Sequence, residues 1–486
     1  MIMMQIFMLN TWLIVLFFIS LVTISFSHYV YRWRNPKCNG GKLPPGSMGL
    51  PLIGETIQLF IPSNSLDMPR FFKKRLARYG TLFKTSLVFH KVVVSLDPDF
   101  NHFIFEQERK TVQLWYMDSL WDVFGKSIES SDDPYILKYF RNCLLNQFGH
   151  ETIKEKLLPK IEDMANRYLR TWSTQSSVDV KTLITRMVFD LTAKHLFHYD
   201  PMDKNVANVF ANFFDSVMTV PINIPGTTYH KCMKNKTKAI QLMKDILHER
   251  RNSTEKKGDF LDRIIEDMKT MEFLTEDFVV YLIFGMLLAS FATISANLTL
   301  AFSLLTDHPA VVNELLEEQD NLAKSKDNPD SPLTWDEYKS MTFMSQVVDE
   351  TLRMANLFPG ILRKVIKDIH VNGYTIPEGW TIMLVSSAVH MCPKSFPDPQ
   401  TFDPWRWNNI GDTNAPSRNY IPFGGGLRHC VGAEFSKAVM AIFLRVLVTK
   451  FSWKKIKGGN AYRNPALSFG RSGFHVKISE KGQIKN

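Results

Sequence analysis

Pro422-Phe423-Gly424-Gly425-Gly426-Leu427-Arg428-His429-Cys430-Val431-Gly432 describes a backbone that turns tightly and presents a single sulfur. Glycine tolerates positive φ and, lacking Cβ, lets the chain approach a flat object closely. From Ala433 the pattern turns helical (Ala433-Glu434-Phe435-Ser436-Lys437-Ala438-Val439-Met440), which puts Cys430 at or just before a helix N-terminus. Backbone N–H groups there favour a thiolate, the form in which cysteine binds a metal. Arg428 adds positive charge suited to a two-toothed hydrogen bond with a carboxylate. A lone cysteine with no Cys or His at metal-ligand spacing does not describe a zinc site. The plain alternative is a buried, inert cysteine behind a Gly-rich turn.

A lone thiolate does suit one axial position under a haem, whose porphyrin supplies four further ligands. The order Phe423, Gly426, Arg428, Cys430, Gly432 resembles the haem-binding loop of the cytochrome P450 family. On that resemblance Cys430 is the axial iron ligand, and Phe423, Arg428 and Gly432 belong to the haem site.

Composition agrees with a large, membrane-associated body. Of the 486 residues, 45% are hydrophobic and 12% aromatic, enough for an extensive core, and no charged or Pro/Ser-rich linker divides the chain after residue 50. Lys and Arg number 58 against 48 Asp and Glu, a net +10 without long basic runs. Such a balance favours a membrane surface or an acidic protein partner over nucleic acid. Five scattered cysteines do not form a disulfide framework, so the body is expected in a reducing compartment.

Met1 to about Ser27 has no charged side chain and is long enough to span a bilayer. Aromatics, then Arg32, Arg34 and Lys37, follow it, and the positive-inside rule leaves the rest cytosolic. A cleaved signal peptide is the rival, but the segment lacks a basic n-region and a clean small-residue cleavage site. Lys42-Leu43-Pro44-Pro45-Gly46 reads as a stiff spacer, and it resembles the hinge of plant microsomal members of the family. The expected organisation is an anchor over 1–30, a basic and Pro-rich hinge over 31–56 and a haem-thiolate catalytic domain over 57–486. The resemblance implies a single-pass protein of the endoplasmic reticulum membrane.

Within the body, Phe83 to Leu96 has strand character, and Tyr135 to Gln147 is helical, with Lys138 and Arg141 on one face. Both are candidates for the haem carboxylates, although Leu137 stands where family members usually carry Trp or His. Trp115, Tyr116, Leu120, Trp121 and Phe124 either line an apolar pocket or pack as core. Val220 to Gly226, an apolar loop broken by proline, either dips into a membrane or simply joins two helices.

No residue between Asp277 and Asp307 is charged. Its hydroxyl content argues for a buried helix rather than a second span, with Thr275 as N-cap. Ala289-Ser290-Phe291-Ala292-Thr293 resembles the family's oxygen-activation motif. Thr293 matches the threonine that steers protons; Ser290 replaces the usual glycine and Ala292 the usual acid. Water or Ser295 are possible stand-ins for that acid.

Glu350 and Arg353 share a helix face at i, i+3, and Arg406 follows among aromatics. The set resembles the family's buried three-residue network. Ile361 to Trp380 reads as short strands, with Arg363 a further candidate for a haem carboxylate, and Leu467 to Phe474 reads as a hairpin. Trp121, Phe291, Ala292, Phe358, Ile361 and Phe469 are pocket candidates.

The resemblance implies a mainly α fold, with a large helical part, a small β-rich part and a haem b between two central helices. It also implies electrons from NADPH through a membrane-bound reductase, whose acidic surface would meet Arg428, Lys437 and Lys138. The activity implied is monooxygenation of a lipophilic molecule, a sterol or cyclic terpenoid. Two rivals stay open: a haem-thiolate isomerase or dehydratase, which the missing acid permits, and a non-catalytic haem protein.

Overall fold

A computed structural model describes residues 2–38, 40–63, 65–117, 122–123, 133–198, 210, 222–326, 328, 331–409, 418–470 and 472–482. Helix α1 (Ile2–Arg34) carries Arg32 and Arg34 in its last turn, and from Trp12 onward it exposes its apolar side chains, Phe17 and Ile24 among them. The spacer beyond it is tied down. The indole of Trp33 donates to Met48 O (3.2 Å), Lys84 Nζ to Pro44 O (2.9 Å), and Thr375 N to Lys42 O (2.9 Å).

The β-rich part is built on β1 (Leu82–Leu87), β2 (His90–Ser95), β3 (Val112–Leu114), β4 (Ile361–Val365) and β5 (Thr381–Leu384). They form one sheet in the order β1-β2-β5-β4-β3, antiparallel except that β2 pairs with β5 in parallel. Helix α2 (Pro98–Glu106) follows β2; Asp97 caps it by accepting from Phe100 N (2.9 Å), and Pro98 opens the first turn.

The helical part holds α3 (Pro134–Phe148), α4 (Leu158–Ser173), α5 (Val180–Phe197), α6 (Thr228–Asn252), α7 (Glu276–Asp307), α8 (Thr342–Ala355) and α9 (Ala433–Lys450). α7 is the axis. Thr275 Oγ1 accepts from Phe278 N (3.3 Å), Glu276 and Asp277 sit against the positive end of the helix dipole, and apolar side chains follow on nearly every side. α5, α6, α8 and α9 pack around it, so this uncharged helix is core, as its hydroxyl content indicates.

The chain from Leu467 to Phe474 departs from the hairpin reading. Strand β8 (Ala466–Phe469) pairs backwards with β7 (Ala461–Asn464), while β9 (Phe474–Glu480) pairs with β6 (Phe451–Gly458). The glycines therefore join two different sheets. Alternating residues filled both strands equally well, and register was set by partners outside the stretch.

Candidate active site

The cysteine loop is folded by its glycines and clamped by α2. Gly424 and Gly426 take φ of +72° and +63°, and Cys430 N donates back to Phe423 O (3.1 Å). A Cβ on Gly425 would lie 2.7 Å from the Phe105 ring, and one on Gly426 2.3 Å from Phe105 O. These two glycines thus admit α2, and Gly424 meets only Ile361 Cδ1 at 3.5 Å.

Cys430 lies just ahead of α9 and its residue is solvent-accessible, in a recess that protein walls otherwise enclose. Desolvation there pushes the thiol pKa up, outweighing the Gly432 N–H and the Arg141 guanidinium, which pull it down. The helix end alone does not make a thiolate; a coordinated metal would. A side chain at position 432 would begin 4.0 Å from Sγ, so Gly432 keeps the sulfur's flank open. Arg141 Nη1 reaches His429 O (3.3 Å), whereas Lys138 is exposed and makes no hydrogen bond or ion pair with the described residues.

Arg428 and Arg363 converge on one carboxylate. Glu108 Oε1 accepts from Arg428 Nε (3.0 Å) and Leu114 N (3.0 Å), and its Oε2 lies 2.8 Å from Arg363 Nε. Burial pulls the Arg363 guanidinium pKa down, and Glu108 opposes that. Tyr116, whose phenol burial pushes up, lies within electrostatic reach of both arginines and of Cys430.

α7 is mostly buried, but one stripe in its middle is open. Tyr281, Gly285, Ala289 and Thr293, four residues apart and so on one face, are only partly covered, as is Ser290 beside them. Thr293 Oγ1 donates to Ala289 O (2.7 Å) and Ser290 Oγ to Leu287 O (2.9 Å). Ser295 is buried and donates to Phe291 O (2.5 Å), away from the stripe, so it is no stand-in for the missing acid. Ala292 is buried, and Phe291 packs in the core against Phe189 (5.5 Å between ring centroids). Ile361 borders the cysteine loop, Phe358 is exposed, and Phe469 is buried with Leu300 and Leu467. Trp121, Leu120 and Phe124 lie outside the described residues; Trp115 stacks edge-on with His90 (4.6 Å), on the sheet.

Behind the loop Glu350 accepts from Arg353 Nε and Nη2 (both 2.8 Å), Arg406 Nε (2.9 Å), Trp407 Nε1 (3.1 Å) and Asp403 N (3.1 Å), all within the interior. Arg353 also donates to His390 O (2.8 Å). His390 Nε2 accepts from Ile421 N (3.0 Å) and its Nδ1 meets Asn356 Oδ1 (2.8 Å), which ties the network to the start of the cysteine loop. Arg463, fully buried, donates to the carbonyls of Leu66, Asp67, Met354, Ala355 and Asn356. Sequence reasoning missed Glu108, His390 and Arg463. Trp407 was visible as the aromatic neighbour of Arg406.

These residues fit a haem: an exposed cysteine sulfur just ahead of α9, cationic side chains near it, an open stripe on a mostly buried apolar helix, and no competing His/Cys/Asp/Glu cluster among the described residues. A bound haem with a thiolate ligand supplies dioxygen cleavage. The chain supplies the sulfur, the counter-charges and hydroxyls on the open stripe. A haem-thiolate protein is the class so defined.

The Cytochrome P450 family model matches residues 44–477. Cucurbitadienol 11-hydroxylase of Siraitia grosvenorii is 44% identical over 474 residues, 97% of this chain and 100% of that relative. Beta-amyrin 16-alpha-hydroxylase of Maesa lanceolata is 42% identical over 479 residues, again 97% and 100%. Retinoic acid bound cyanobacterial CYP120A1 shares the fold with a TM-score of 0.80 at 27% identity, over 91% of this chain and 100% of that one. The chain belongs to the cytochrome P450 family. It is a haem b monooxygenase of lipophilic substrates that draws electrons from NADPH through a reductase.

Proposed function

We propose that this protein hydroxylates a cyclic triterpenoid or sterol at the endoplasmic reticulum membrane, with its body on the cytosolic side and electrons delivered by NADPH-cytochrome P450 reductase. The observation that carries the substrate class is the identity of 44% and 42%, over whole chains, to hydroxylases named for cucurbitadienol and beta-amyrin. The open stripe of α7 supports it: from Gly285 to Thr293 the stripe has no charged side chain of its own, and its hydroxyls are those of Ser290 and Thr293, which suits a rigid hydrocarbon with few polar groups.

In this reading Cys430 ligates the haem iron, and Arg141, Lys138, Arg363 and Arg428 are the cations available to its carboxylates. Phe423 and Gly432 shape the sulfur side. Thr293 holds and passes a proton on the substrate side. Glu350, Arg353 and Arg406 brace the loop. The apolar side chains of α1 enter the bilayer, and exposed Ile222 and Ile224 touch its surface.

Membranes containing the protein and its reductase, given NADPH, labelled dioxygen and a triterpene and sterol panel, test the proposal. Label in a hydroxylated product, absent with Cys430→Ala, is the expected result. An unlabelled, rearranged product formed without NADPH would replace the reading with isomerisation, which Ala292 at the acid position permits.

A further inference from the structure

The polar side chains in the second half of α7 are nearly all satisfied by carbonyls. Ser290, Thr293, Ser295 and Thr299 each donate to a carbonyl about one turn back, and Ser303 donates to Gly459 O (2.7 Å). Asn297 lies among them and differs. Its residue is 3% exposed, and its Oδ1 is buried with no hydrogen-bond donor among the described residues. A buried amide oxygen left dry bears its full desolvation cost, whereas an apolar group of the same shape would not. Such an oxygen in an apolar wall calls for a partner that is not protein.

Its place on the helix supplies one. Asn297 follows Thr293 by four residues, so the two share a face with their Cβ atoms about 5–6 Å apart. Helical side chains lean toward the N-terminus, which carries the Asn297 carboxamide over the turn that holds Thr293. One water bonded to both, at about 2.8–3 Å per bond, spans that distance. Thr293 Oγ1 spends its hydrogen on Ala289 O (2.7 Å) and can accept with its lone pairs, as can the amide oxygen, so the water donates one hydrogen to each. Beyond Asn297, Leu300 packs with Leu467 and Phe469, all buried, and closes that side. In the other direction Thr293 is half-buried and Ala289 exposed, so water enters along the stripe.

We propose that Asn297 is a positioning residue for proton delivery: its carboxamide oxygen holds a water against Thr293, in the role that Ala292 cannot fill. This rests on Thr293 passing protons on the substrate side. The Thr293 O–H bond that breaks when a proton leaves is re-formed with a proton from the water, and the water regains one from solvent along the stripe. The protons so spent accompany the NADPH electrons that reduce one dioxygen oxygen to water. An acid would carry the proton itself; the amide holds the carrier.

The tests use the full-length holoprotein. Its crystal structure should show a water within about 3.2 Å of both Asn297 Oδ1 and Thr293 Oγ1. Asn297→Leu should lose that water while the urea midpoint holds or rises, because an isosteric apolar group replaces a polar one. With reductase, NADPH and whichever member of the triterpene and sterol panel is hydroxylated, Asn297→Leu should lower product per NADPH about tenfold and raise peroxide, with no further loss when added to Thr293→Val. Asn297→Asp keeps an acceptor oxygen and should recover most of that loss; it also serves if the Leu variant fails to fold. Unchanged coupling in Asn297→Leu, equal loss in Leu and Asp, or a wild-type crystal structure without the water would overturn the proposal. Full coupling in Thr293→Val would sink the proton role of Thr293 and the proposal with it. A panel with no hydroxylated member would count against the substrate class alone, and the wild-type crystal structure would still decide the water.

Discussion

Arg463 is the residue whose removal tests the packing argument most sharply. It is fully buried, and among the described residues no carboxylate lies within bonding distance; carbonyl oxygens hold it, with the Asp67 charge acting from further off. Met354, Ala355 and Asn356 supply three of them at the C-terminal end of α8, where unpaired carbonyls carry the negative end of the helix dipole. Leu66 and Asp67 supply the rest, from a segment 397 residues away in sequence. Burial pulls the guanidinium pKa down to about 10, so keeping it charged costs about 3 kcal/mol. Each hydrogen bond to a charged group contributes about 1.5–3 kcal/mol, so five acceptors outweigh that cost. Water entering an alanine-sized gap would rehydrate some of the carbonyls. Arg463→Ala is therefore expected to destabilise by about 3–5 kcal/mol, and Arg463→Lys, with three donors and no planar fork, by about half of that. Urea unfolding of the solubilised full chain, followed by tryptophan fluorescence, measures both. An alanine variant within about 1 kcal/mol of wild type would refute the reasoning.

His390 makes stability pH-dependent. Burial, then the nearby Arg353 charge, lowers its pKa to about 3, while the unfolded side chain titrates near 6.5. Between those values the unfolded chain binds the extra proton, so its contribution is intact above pH 6.5 and is lost on acidification, at about 1.4 kcal/mol per pH unit. Urea midpoints from pH 7 to 4 should fall less steeply in His390→Gln; parallel slopes would contradict this. Glu350→Gln removes the negative charge between two buried guanidinia and turns one acceptor oxygen into a donor, and should cost about 3–5 kcal/mol, whereas Trp407→Phe, losing one hydrogen bond, should cost about 1 kcal/mol by the same assay. Thr293→Val keeps the shape and removes the hydroxyl that donates to Ala289 O. Product formed per NADPH consumed should fall at least about tenfold, with peroxide rising, and unchanged coupling would remove Thr293 from proton handling.

Sequence made legible whatever rests on short spacings. The cysteine loop, the uncharged helix through Thr293 and the Glu350/Arg353 pair each lie within one element, where period and neighbour chemistry decide the outcome. Arg406 was legible through its aromatic setting, and Trp407 was in plain view beside it. Glu108 was not: it sits in Glu106-Gln107-Glu108-Arg109-Lys110, which reads as a solvated turn, and its partner Arg428 lies 320 residues on. Arg463 is hidden for the same reason, since its acceptors come from segments about a hundred and about four hundred residues away. Buried charge is recognised by its partners, and these meet only after folding. The helix-end N–H of Gly432 does pull the Cys430 thiol pKa down, as the sequence suggests; the larger opposing desolvation comes from the recess, a tertiary effect that no short spacing reveals.

The tied spacer after α1 has a consequence for encounter. With Trp33, Pro44 and Lys42 bonded into the body, a bilayer-spanning α1 would hold the body at one height and tilt, free chiefly to spin about the membrane normal. A partner anchored in the same leaflet would then be met by a search in two dimensions and one angle. Most misoriented collisions would be eliminated before any contact is made, and less rotational entropy would remain to be lost when the two proteins dock.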